Sequence, residues 1–312
     1  MKITYLNQQV DIVYTNNLLK DFNYDNKHKY LVITDNNVYS FYEKIINEIS
    51  NDVLVFKAEE SSKSYDSTLK IINFLLDNNY QKSDYLIAFG GGMIGDLTGF
   101  VASIFKRGIK YISIPTTLIS QIDSAIGGKN GVNHRGFKNQ IGTIYHPHKI
   151  FIDANFLKTL PKIEYTSGMG EVIKYATLFS SDMFVSLEAG SFQLDIIIKE
   201  CVNIKINITT QDEFDLGLRR SLNFGHTIGH AIESKYKLPH GIAIGYGMYY
   251  ESKNERLKAL LEKYGWDFSK GHNEYKDYLL QDKKISDGKI TKIDLIDIGK
   301  FEIREVTIDE FL

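Results

Sequence analysis

The sequence of 312 residues contains few of the features that mark secreted, fibrous or nucleic-acid-binding proteins. It has one cysteine, Cys201, so no disulfide can form within the chain, which is typical of a reducing compartment. Its four prolines are too few for a collagen-like fibre. Lys and Arg number 37 against 39 Asp and Glu, so no overall positive charge attracts nucleic acid. We therefore expect a cytoplasmic protein without a nucleic-acid partner.

A long apolar run is also missing. The stretch 84–105 comes nearest to one, but it has glycines in its first half and Asp96 near its centre, where a carboxylate would be costly in a bilayer. We interpret it as a buried strand, a glycine turn and a buried helix. The N-terminal residues are polar every few positions, so we expect neither a secretory signal nor a membrane partner.

The first half of the chain alternates short apolar runs with helical patterns, and the second half is mainly helical. Strands are predicted at 30–34, 53–56, 85–89 and 111–114, with helices at 42–49 and 69–76. This alternation predicts an α/β fold with a parallel sheet and helices on both faces. Helical patterns then follow at 170–179, 194–209 and 226–236. We predict two domains, residues 1–155 with the sheet and residues 156–312 with the helices.

A glycine-rich segment follows the third predicted strand. It reads GGGMIGD and matches G-x-G-x-x-G through Gly90, Gly92 and Gly95. In that context the pattern favours a dinucleotide pyrophosphate at the N-terminus of a helix, and the alternative is a plain strand-to-helix turn. No acid lies about 20 residues downstream, where a dinucleotide site has one; Asp35 and Glu60 instead end the preceding strands.

Thr116 and Thr117 follow the next predicted strand, where they could contact a nucleotide or cap the next helix. Beyond them, residues 123–139 combine cations with glycines and asparagines. We predict a long loop that binds phosphate or carboxylate; the alternative is a solvated surface loop.

Three histidines suggest a metal site. His226 and His230 are four residues apart, and His240 follows His226 by 14 residues. Thr227 stands where zinc peptidases of the H-E-x-x-H type have glutamate, so that class is excluded. Glu171 begins another predicted helix and would complete a catalytic zinc site of two imidazoles and one carboxylate. The spacing does not select the two histidines or bring Glu171 to them, and the alternative is packed or capping histidines.

Arg219 and Asn223 lie four residues apart just before these histidines, so we predict a cation, an amide and imidazoles along one helical stretch. A dinucleotide loop, a metal site and a basic segment in one chain indicate an NAD- and metal-dependent enzyme. Its substrate is expected to be a phosphorylated or carboxylated polyol.

Several long segments in the same order resemble the 3-dehydroquinate synthase family, which is similar to iron-type alcohol and glycerol-1-phosphate dehydrogenases. They include GGGMIGDLTGFVAS from Gly90, PTTLISQIDSAIGGKNGVN from Pro115, GMGEVIKYA from Gly168 and LNFGHTIGHAIE from Leu222. The resemblance implies a Rossmann-like NAD-binding domain followed by an α-helical domain that binds zinc or cobalt and substrate.

The implied reaction converts 3-deoxy-D-arabino-heptulosonate 7-phosphate to 3-dehydroquinate and phosphate, a carbon–oxygen lyase step of the shikimate pathway of aromatic amino acid biosynthesis. It proceeds by transient oxidation with NAD, phosphate elimination, re-reduction and intramolecular aldol closure. NAD therefore ends unchanged.

The resemblance also assigns residues. The implied metal ligands are Glu171, His226 and His240, which leaves His230 on the substrate side. The implied NAD contacts are Asp35, Asn37, Glu60, Lys63, Gly91, Gly92, Asp96, Thr116, Thr117, Asp123, Lys129, Lys138, Phe156, Thr159 and Leu160. The implied substrate contacts are Lys129, Asn139, Lys174, Lys205, Arg219, Asn223 and one of Lys283 and Lys284. Arg107 matches an arginine that family members donate across a dimer interface, so a homodimer is implied.

Two positions depart from the family pattern. Asp215 stands where glutamate is usual, and Ile242 stands where glutamate often follows His-Gly. Three other functions remain open: a different sugar phosphate cyclase, a net oxidoreductase of the glycerol-1-phosphate dehydrogenase type, and a non-catalytic NAD- or metal-binding protein. The combination of Arg219, Lys205 and Lys129 suits a carboxylate, which the substrates of the other cyclases lack.

Overall fold

The computed structural model describes residues 1–272, 274 and 289–311 and separates into two units, Met1–Leu160 and Pro161–Leu312. The predicted boundary is five residues earlier, between 155 and 156. Those residues belong to a 3₁₀ helix, Ala154–Thr159, whose Phe156 is buried in the core of the first unit.

The first unit is built around a mostly parallel sheet. Its strands are β1 Lys2–Thr4, β2 Gln9–Tyr14, β3 Tyr30–Asp35, β4 Asp52–Phe56, β5 Tyr85–Gly90, β6 Lys110–Pro115, β7 Lys129–His134, β8 Phe137–Ile144 and β9 Lys149–Ile152. Seven of them form one sheet in the order β1-β2-β9-β6-β5-β3-β4, in which only the β1–β2 pair is antiparallel. The predicted α/β class is confirmed.

Helices cover both faces of this sheet, as buried parallel strands require. They are α1 Leu18–Asp21, α2 Asn36–Ile49, α3 Tyr65–Asp77 and α4 Gly92–Ile104. Alternate residues of β3 point to opposite faces: Leu31 and Ile33 join the core beneath α3 and α4, and Tyr30 and Val32 join the core beneath α2.

The prediction of a loop over residues 123–139 is wrong for its second half, where β7 and the start of β8 form an antiparallel hairpin. Its two-residue turn, Arg135 and Gly136, has φ values of 49° and 81°, the combination that suits the twist of a hairpin. The polar and glycine-rich sequence concealed the strands, whose only fully buried apolar side chain is that of Val132.

The second unit is mainly helical. Its longer helices are α5 Lys162–Phe179, α6 Ser181–Ala189, α7 Leu194–Gln211, α8 His226–Tyr236, α9 His240–Ser252 and α10 Glu255–Lys263. It also contains an antiparallel hairpin, β10 Lys289–Asp297 and β11 Lys300–Thr307, followed by the short helix α11 Ile308–Phe311. The sequence patterns predict helices in this unit and do not predict this hairpin. Among the described residues, no helix is long and apolar enough to cross a membrane.

Candidate metal centre and nucleotide site

Glycines allow three helices of the second unit to approach closely around Glu171 and the histidines. A Cβ atom on Gly170 would overlap the carbonyl oxygen of Gly241, so α5 and α9 could not meet as they do with any larger residue. The N–H of Gly241 also donates to the Ser167 hydroxyl at 2.9 Å. Because Glu171 follows Gly170 and His240 precedes Gly241, this contact brings the carboxylate to the imidazole.

Three donor atoms converge there. Oε1 of Glu171, which is fully buried, lies 3.8 Å from Nε2 of His226 and 3.5 Å from Nε2 of His240. The two imidazole rings are 5.3 Å apart between centroids. One carboxylate oxygen and two imidazole nitrogens around a common point are the donor set of a catalytic zinc or cobalt site.

The opposite ring nitrogens of both histidines are also held. Nδ1 of His226 lies 3.2 Å from the carbonyl oxygen of Phe224, and Nδ1 of His240 lies 2.9 Å from a carboxylate oxygen of Glu233. When Nδ1–H donates to these acceptors, Nε2 keeps its lone pair on the side of Glu171. This hydrogen bonding is typical of histidines that bind metal ions, so the residues fit a divalent cation.

The charges around His240 also favour a bound cation. Burial lowers its pKa, but the carboxylates of Glu171 and Glu233 outweigh that effect and raise the pKa to about 9. The local field therefore favours a positive charge at this imidazole. A cation bound there would benefit from the same field and would displace the proton.

His230 forms a second, overlapping set. One ring nitrogen from each of His226, His230 and His240 lies within 4.8 Å of the others. The structure thus offers two groups of three ligands that share His226 and His240, one completed by Glu171 and the other by His230.

Lys174, one of the predicted substrate residues in this unit, contacts the Glu171 carboxylate. It is 1% exposed, its ammonium pairs with Glu171, and it donates to the carbonyl oxygen of Leu222 at 2.8 Å. Arg219 is buried and donates to the carbonyl oxygen of Glu213 at 2.6 Å. Lys205 is buried on α7, and Asn223 is exposed.

The single helical stretch predicted through Arg219, Asn223 and His226 is wrong. Arg219 and Asn223 belong to a 3₁₀ helix, Leu218–Asn223, and α8 begins separately at His226. Gly225 lies between the two with φ 74°, a left-handed conformation that breaks the helix. Asp215, which departs from the family pattern, also has a positive φ of 63°, which aspartate tolerates better than most residues.

In the first unit, the register of the sheet places the predicted nucleotide residues on neighbouring strands. Thr34 pairs with Phe89 and Gly90 pairs with Pro115. Asp35 therefore ends β3, and Gly91 and Thr116 directly follow the neighbouring strands β5 and β6. Because β4 lies on one side of β3 and β5 on the other, the strand order reverses there, which is where such folds bind nucleotides. This order explains why the acid is upstream of the glycines, since β3 precedes β5 in the chain.

The glycine segment opens α4 with its backbone exposed to an approaching group. Gly91 caps the helix and Gly92 begins it. A Cβ atom on Gly91 would lie 3.0 Å from the Thr117 side chain, whereas one on Gly95 would meet nothing within 4 Å. Both the helix N-terminus and the space at Gly95 suit a pyrophosphate. The Thr117 hydroxyl accepts a hydrogen bond from the Ser120 N–H at 3.1 Å, so it has a capping role as well.

Lys63 gathers the polar side chains next to this helix. Its ammonium lies 2.8 Å from Asp96, 2.6 Å from the Asn139 side-chain oxygen and 3.5 Å from Glu60. Burial lowers the pKa of Lys63, but the carboxylates of Asp96 and Glu60 raise it by more. Burial also raises the pKa of Asp96 in spite of Lys63. The cluster thus joins residues that the family resemblance assigns separately to NAD and to substrate.

The remaining predicted residues of this unit differ in their surroundings. Asp35 caps α2 by accepting N–H bonds from Asn37 and Val38, each at 3.0 Å. The Phe156 ring packs on Tyr42 and Phe89 in the core, and Thr159 shares a 2.7 Å hydrogen bond with the Tyr42 hydroxyl. The others lie at or near the surface, namely Lys129 and Lys138 on the hairpin, Asp123 in a π-helical turn and Leu160 at the end of the unit.

Arg107 has φ 61°, and its exposed side chain makes no hydrogen bond or ion pair within the described ranges. Lys283 and Lys284 lie outside the described residues.

Sequence reasoning missed several supporting residues. Glu233 lies within LNFGHTIGHAIE, seven residues before His240, and Ser167 lies just before GMGEVIKYA. Asn133 donates to Glu60 at 2.8 Å and accepts from the Asn139 N–H at 3.0 Å, tying the hairpin to the Lys63 cluster. The glutamate alone carried a usable signal, since metal-binding histidines commonly have a carboxylate partner.

The chain matches two family models in succession. Residues 53–167 match the 3-dehydroquinate synthase N-terminal model, and residues 168–285 match the 3-dehydroquinate synthase C-terminal model. A 3-dehydroquinate synthase from Clostridium tetani is 38% identical, over 99% of this chain and 90% of that protein.

Solved structures show the same fold at lower identity. A 2-epi-5-epi-valiolone synthase from Streptomyces hygroscopicus subsp. jinggangensis, with NAD⁺ and Zn²⁺ bound, has a TM-score of 0.86 at 23% identity and covers 99% of this chain and 95% of its own. A 2-deoxy-scyllo-inosose synthase complexed with carbaglucose-6-phosphate, NAD⁺ and Co²⁺ has a TM-score of 0.83, also at 23% identity, and covers 98% and 96%.

Proposed function

The chain belongs to the 3-dehydroquinate synthase family, and we propose how its residues carry out the reaction of that family. Its function is the conversion of 3-deoxy-D-arabino-heptulosonate 7-phosphate to 3-dehydroquinate and phosphate. The observation that carries the proposal is the convergence of Glu171, His226 and His240 in a chain that matches both family models along its length.

NAD is held by the first unit in this proposal. Its pyrophosphate meets the N-terminus of α4 at Gly91 and Gly92, and its adenosine meets Asp35 and the Glu60 to Lys63 segment. The strand-order reversal between β4, β3 and β5 supports this placement. Two proteins of the same fold contain NAD⁺, which supports the choice of cofactor.

The metal ligands are Glu171, His226 and His240. When bound, zinc or cobalt supplies Lewis acidity toward a substrate oxygen. The protein's part is to direct Nε2 of both histidines toward Glu171, because Phe224 and Glu233 hold Nδ1 on the other side. With these ligands, His230 would be left as a substrate-side group near His226 and His240.

In this proposal, cationic, amide and imidazole side chains bind the substrate. The proposed residues are Lys129, Asn139, Lys174, Lys205, Arg219, Asn223 and His230. Buried Arg219 and Lys205 suit a carboxylate, since a desolvated cation binds an anion strongly. This feature and the 38% identity to a 3-dehydroquinate synthase, against 23% to the other cyclases, favour the assigned substrate over theirs.

We also propose a homodimer and a cytoplasmic location. The exposed side chain of Arg107, which has no partner among the described residues, is available to a second copy of the chain. The single cysteine fits a reducing compartment.

One experiment tests the function. Purified protein with NAD⁺, Zn²⁺ and the heptulosonate phosphate is followed for free phosphate and for NADH absorbance together. We expect phosphate release that a chelator abolishes, without accumulation of NADH. Accumulating NADH would instead indicate a net oxidoreductase. A parallel assay uses a sugar phosphate without the carboxylate, and phosphate release from that substrate alone would indicate another cyclase. No turnover of either substrate would indicate a binding protein.

A further inference from the structure

One peptide group lies behind the metal ligand His226. The carbonyl of Phe224 and the N–H of Gly225 are its two ends. The carbonyl oxygen is 3.2 Å from Nδ1 of His226, so it accepts the hydrogen bond that orients that ring. Since a peptide group is planar, whatever holds the Gly225 N–H also fixes the direction of the Phe224 carbonyl.

Glu251 on α9 holds that N–H. One of its carboxylate oxygens accepts from Gly225 at 2.9 Å, and the other accepts from the N–H of Ile293 on β10 at 3.2 Å. Gly225 is buried, and its backbone N–H would be costly to leave without an acceptor. The carboxylate thus connects the C-terminal hairpin to the first turn of the helix that carries His226.

The residues around this link leave the peptide little freedom. Gly225 has φ 74°, and a Cβ atom there would lie 2.5 Å from the Met248 side chain and 2.6 Å from its backbone nitrogen. Phe224 is fully buried. The peptide group can therefore transmit the position of Glu251 to the imidazole.

We propose that Glu251 is a positioning residue for the metal ligand His226, acting through the peptide group between Phe224 and Gly225. Glu233 orients His240 by a direct hydrogen bond, whereas Glu251 orients His226 through one intervening peptide group. The proposal rests on the metal site of the proposed function. It adds to that function a role for Glu251, which is not itself a ligand: this residue orients the ligand His226.

Metal binding and cobalt spectroscopy on the full chain test this role. Wild type, Glu251→Gln and Glu251→Ala are titrated with Zn²⁺ against a chelator, and the visible d–d bands of the Co²⁺ forms are recorded. The glutamine has a single acceptor oxygen, so one N–H loses its partner. We expect Zn²⁺ affinity to fall by about 10-fold in Glu251→Gln and by up to about 100-fold in Glu251→Ala, with altered cobalt bands in both. Glu188→Gln, which removes the charge of an exposed pair with Arg256, is the control and should match wild type.

The outcomes separate the two proposals. If wild type binds no metal at Glu171, His226 and His240, the proposed function fails. If wild type binds metal and Glu251→Gln binds it with the same affinity and the same cobalt bands, the positioning role is overturned. Failure of Glu251→Gln to fold without metal would assign the residue to folding and overturn the role as well.

Discussion

The carboxylate of Glu233 lies 2.9 Å from Nδ1 of His240, on the side of the ring opposite Glu171. The two carboxylates therefore contact one imidazole from opposite sides. The contact of Glu233 with Nδ1 directs Nε2 toward Glu171. Such outer partners commonly contribute 10- to 100-fold in metal affinity.

We expect Glu233→Ala to weaken Zn²⁺ binding by about 10- to 100-fold, because the His240 ring loses the acceptor that orients it. Glu233→Gln should lose less, since its amide oxygen can still accept from Nδ1. Chelator competition measures both. Wild-type affinity in Glu233→Ala would show that Glu171 alone orients His240.

The two overlapping ligand sets give opposite results on substitution. With Glu171, His226 and His240 as ligands, Glu171→Gln and His226→Ala lose bound metal, while His230→Ala keeps full metal content and loses turnover. Metal analysis after dialysis, paired with the phosphate-release assay, distinguishes them. Loss of metal from His230→Ala with retention in Glu171→Gln would make the three histidines the ligands.

Gly170→Ala should destabilise the second unit. Its Cβ would overlap the carbonyl oxygen of Gly241, so α5 and α9 must separate, at a cost of roughly 2–3 kcal/mol in the free energy of unfolding. Bound metal should fall as well, because the same contact brings Glu171 to His240. Urea unfolding of the metal-free protein measures the first effect.

The matched control for this change is Gly95→Ala, also within a helix. A Cβ at Gly95 meets nothing within 4 Å, so alanine there should leave stability unchanged or raise it by up to about 1 kcal/mol. Equal effects at the two glycines would show that α5 and α9 can adjust to the added methyl group.

Lys63→Met should weaken NAD⁺ binding by about 10-fold or more and lower the thermal midpoint. The substitution keeps the aliphatic stem but leaves Asp96 without its 2.8 Å cationic partner, and an unpaired buried charge is strongly unfavourable. Calorimetric titration with NAD⁺ measures the first effect. Lys70→Met, on the exposed side of α3 in the same unit, is the control. If Lys63→Met lowered NAD⁺ affinity no more than Lys70→Met does, Lys63 would not belong to the NAD site.

Glu251 should make stability depend on pH. Burial raises its pKa to about 8 from 4.5, although the N–H groups of Ile293 and Gly225 and the charge of Lys292 lower it and Asp294 adds to the rise. The folded state therefore keeps a proton that the unfolded state releases, so the contribution of this group to stability falls as pH rises from about 5 to about 8.

The test compares thermal midpoints of metal-free proteins. Since glutamine does not titrate, the midpoint of Glu251→Gln relative to wild type should increase as pH rises through that window. Glu188→Gln should show no such trend. A constant difference between Glu251→Gln and wild type would mean that the carboxyl titrates normally in the folded protein.

Local features of the chain can be predicted from its sequence, because each depends on a few neighbouring residues. The strand at 30–34, the helical segment 226–236 and the glycine turn at Gly90 all follow from periodicity and residue type. The family segments add the reaction and its cofactors, since long motifs in order are specific. The hairpin of β7 and β8 escapes prediction, because its strands have few apolar residues to mark an alternating pattern.

Spacing along the chain says nothing about which distant residues meet. Glu171 reaches His240 because two glycines let α5 and α9 touch, and Asp35 lies beside the glycine turn because β3 pairs with β5. The peptide between Phe224 and Gly225 is held by Glu251, 26 residues away. The residue types alone indicated candidate donors, but their convergence depends on helix packing and strand register, which involve residues far apart in the chain.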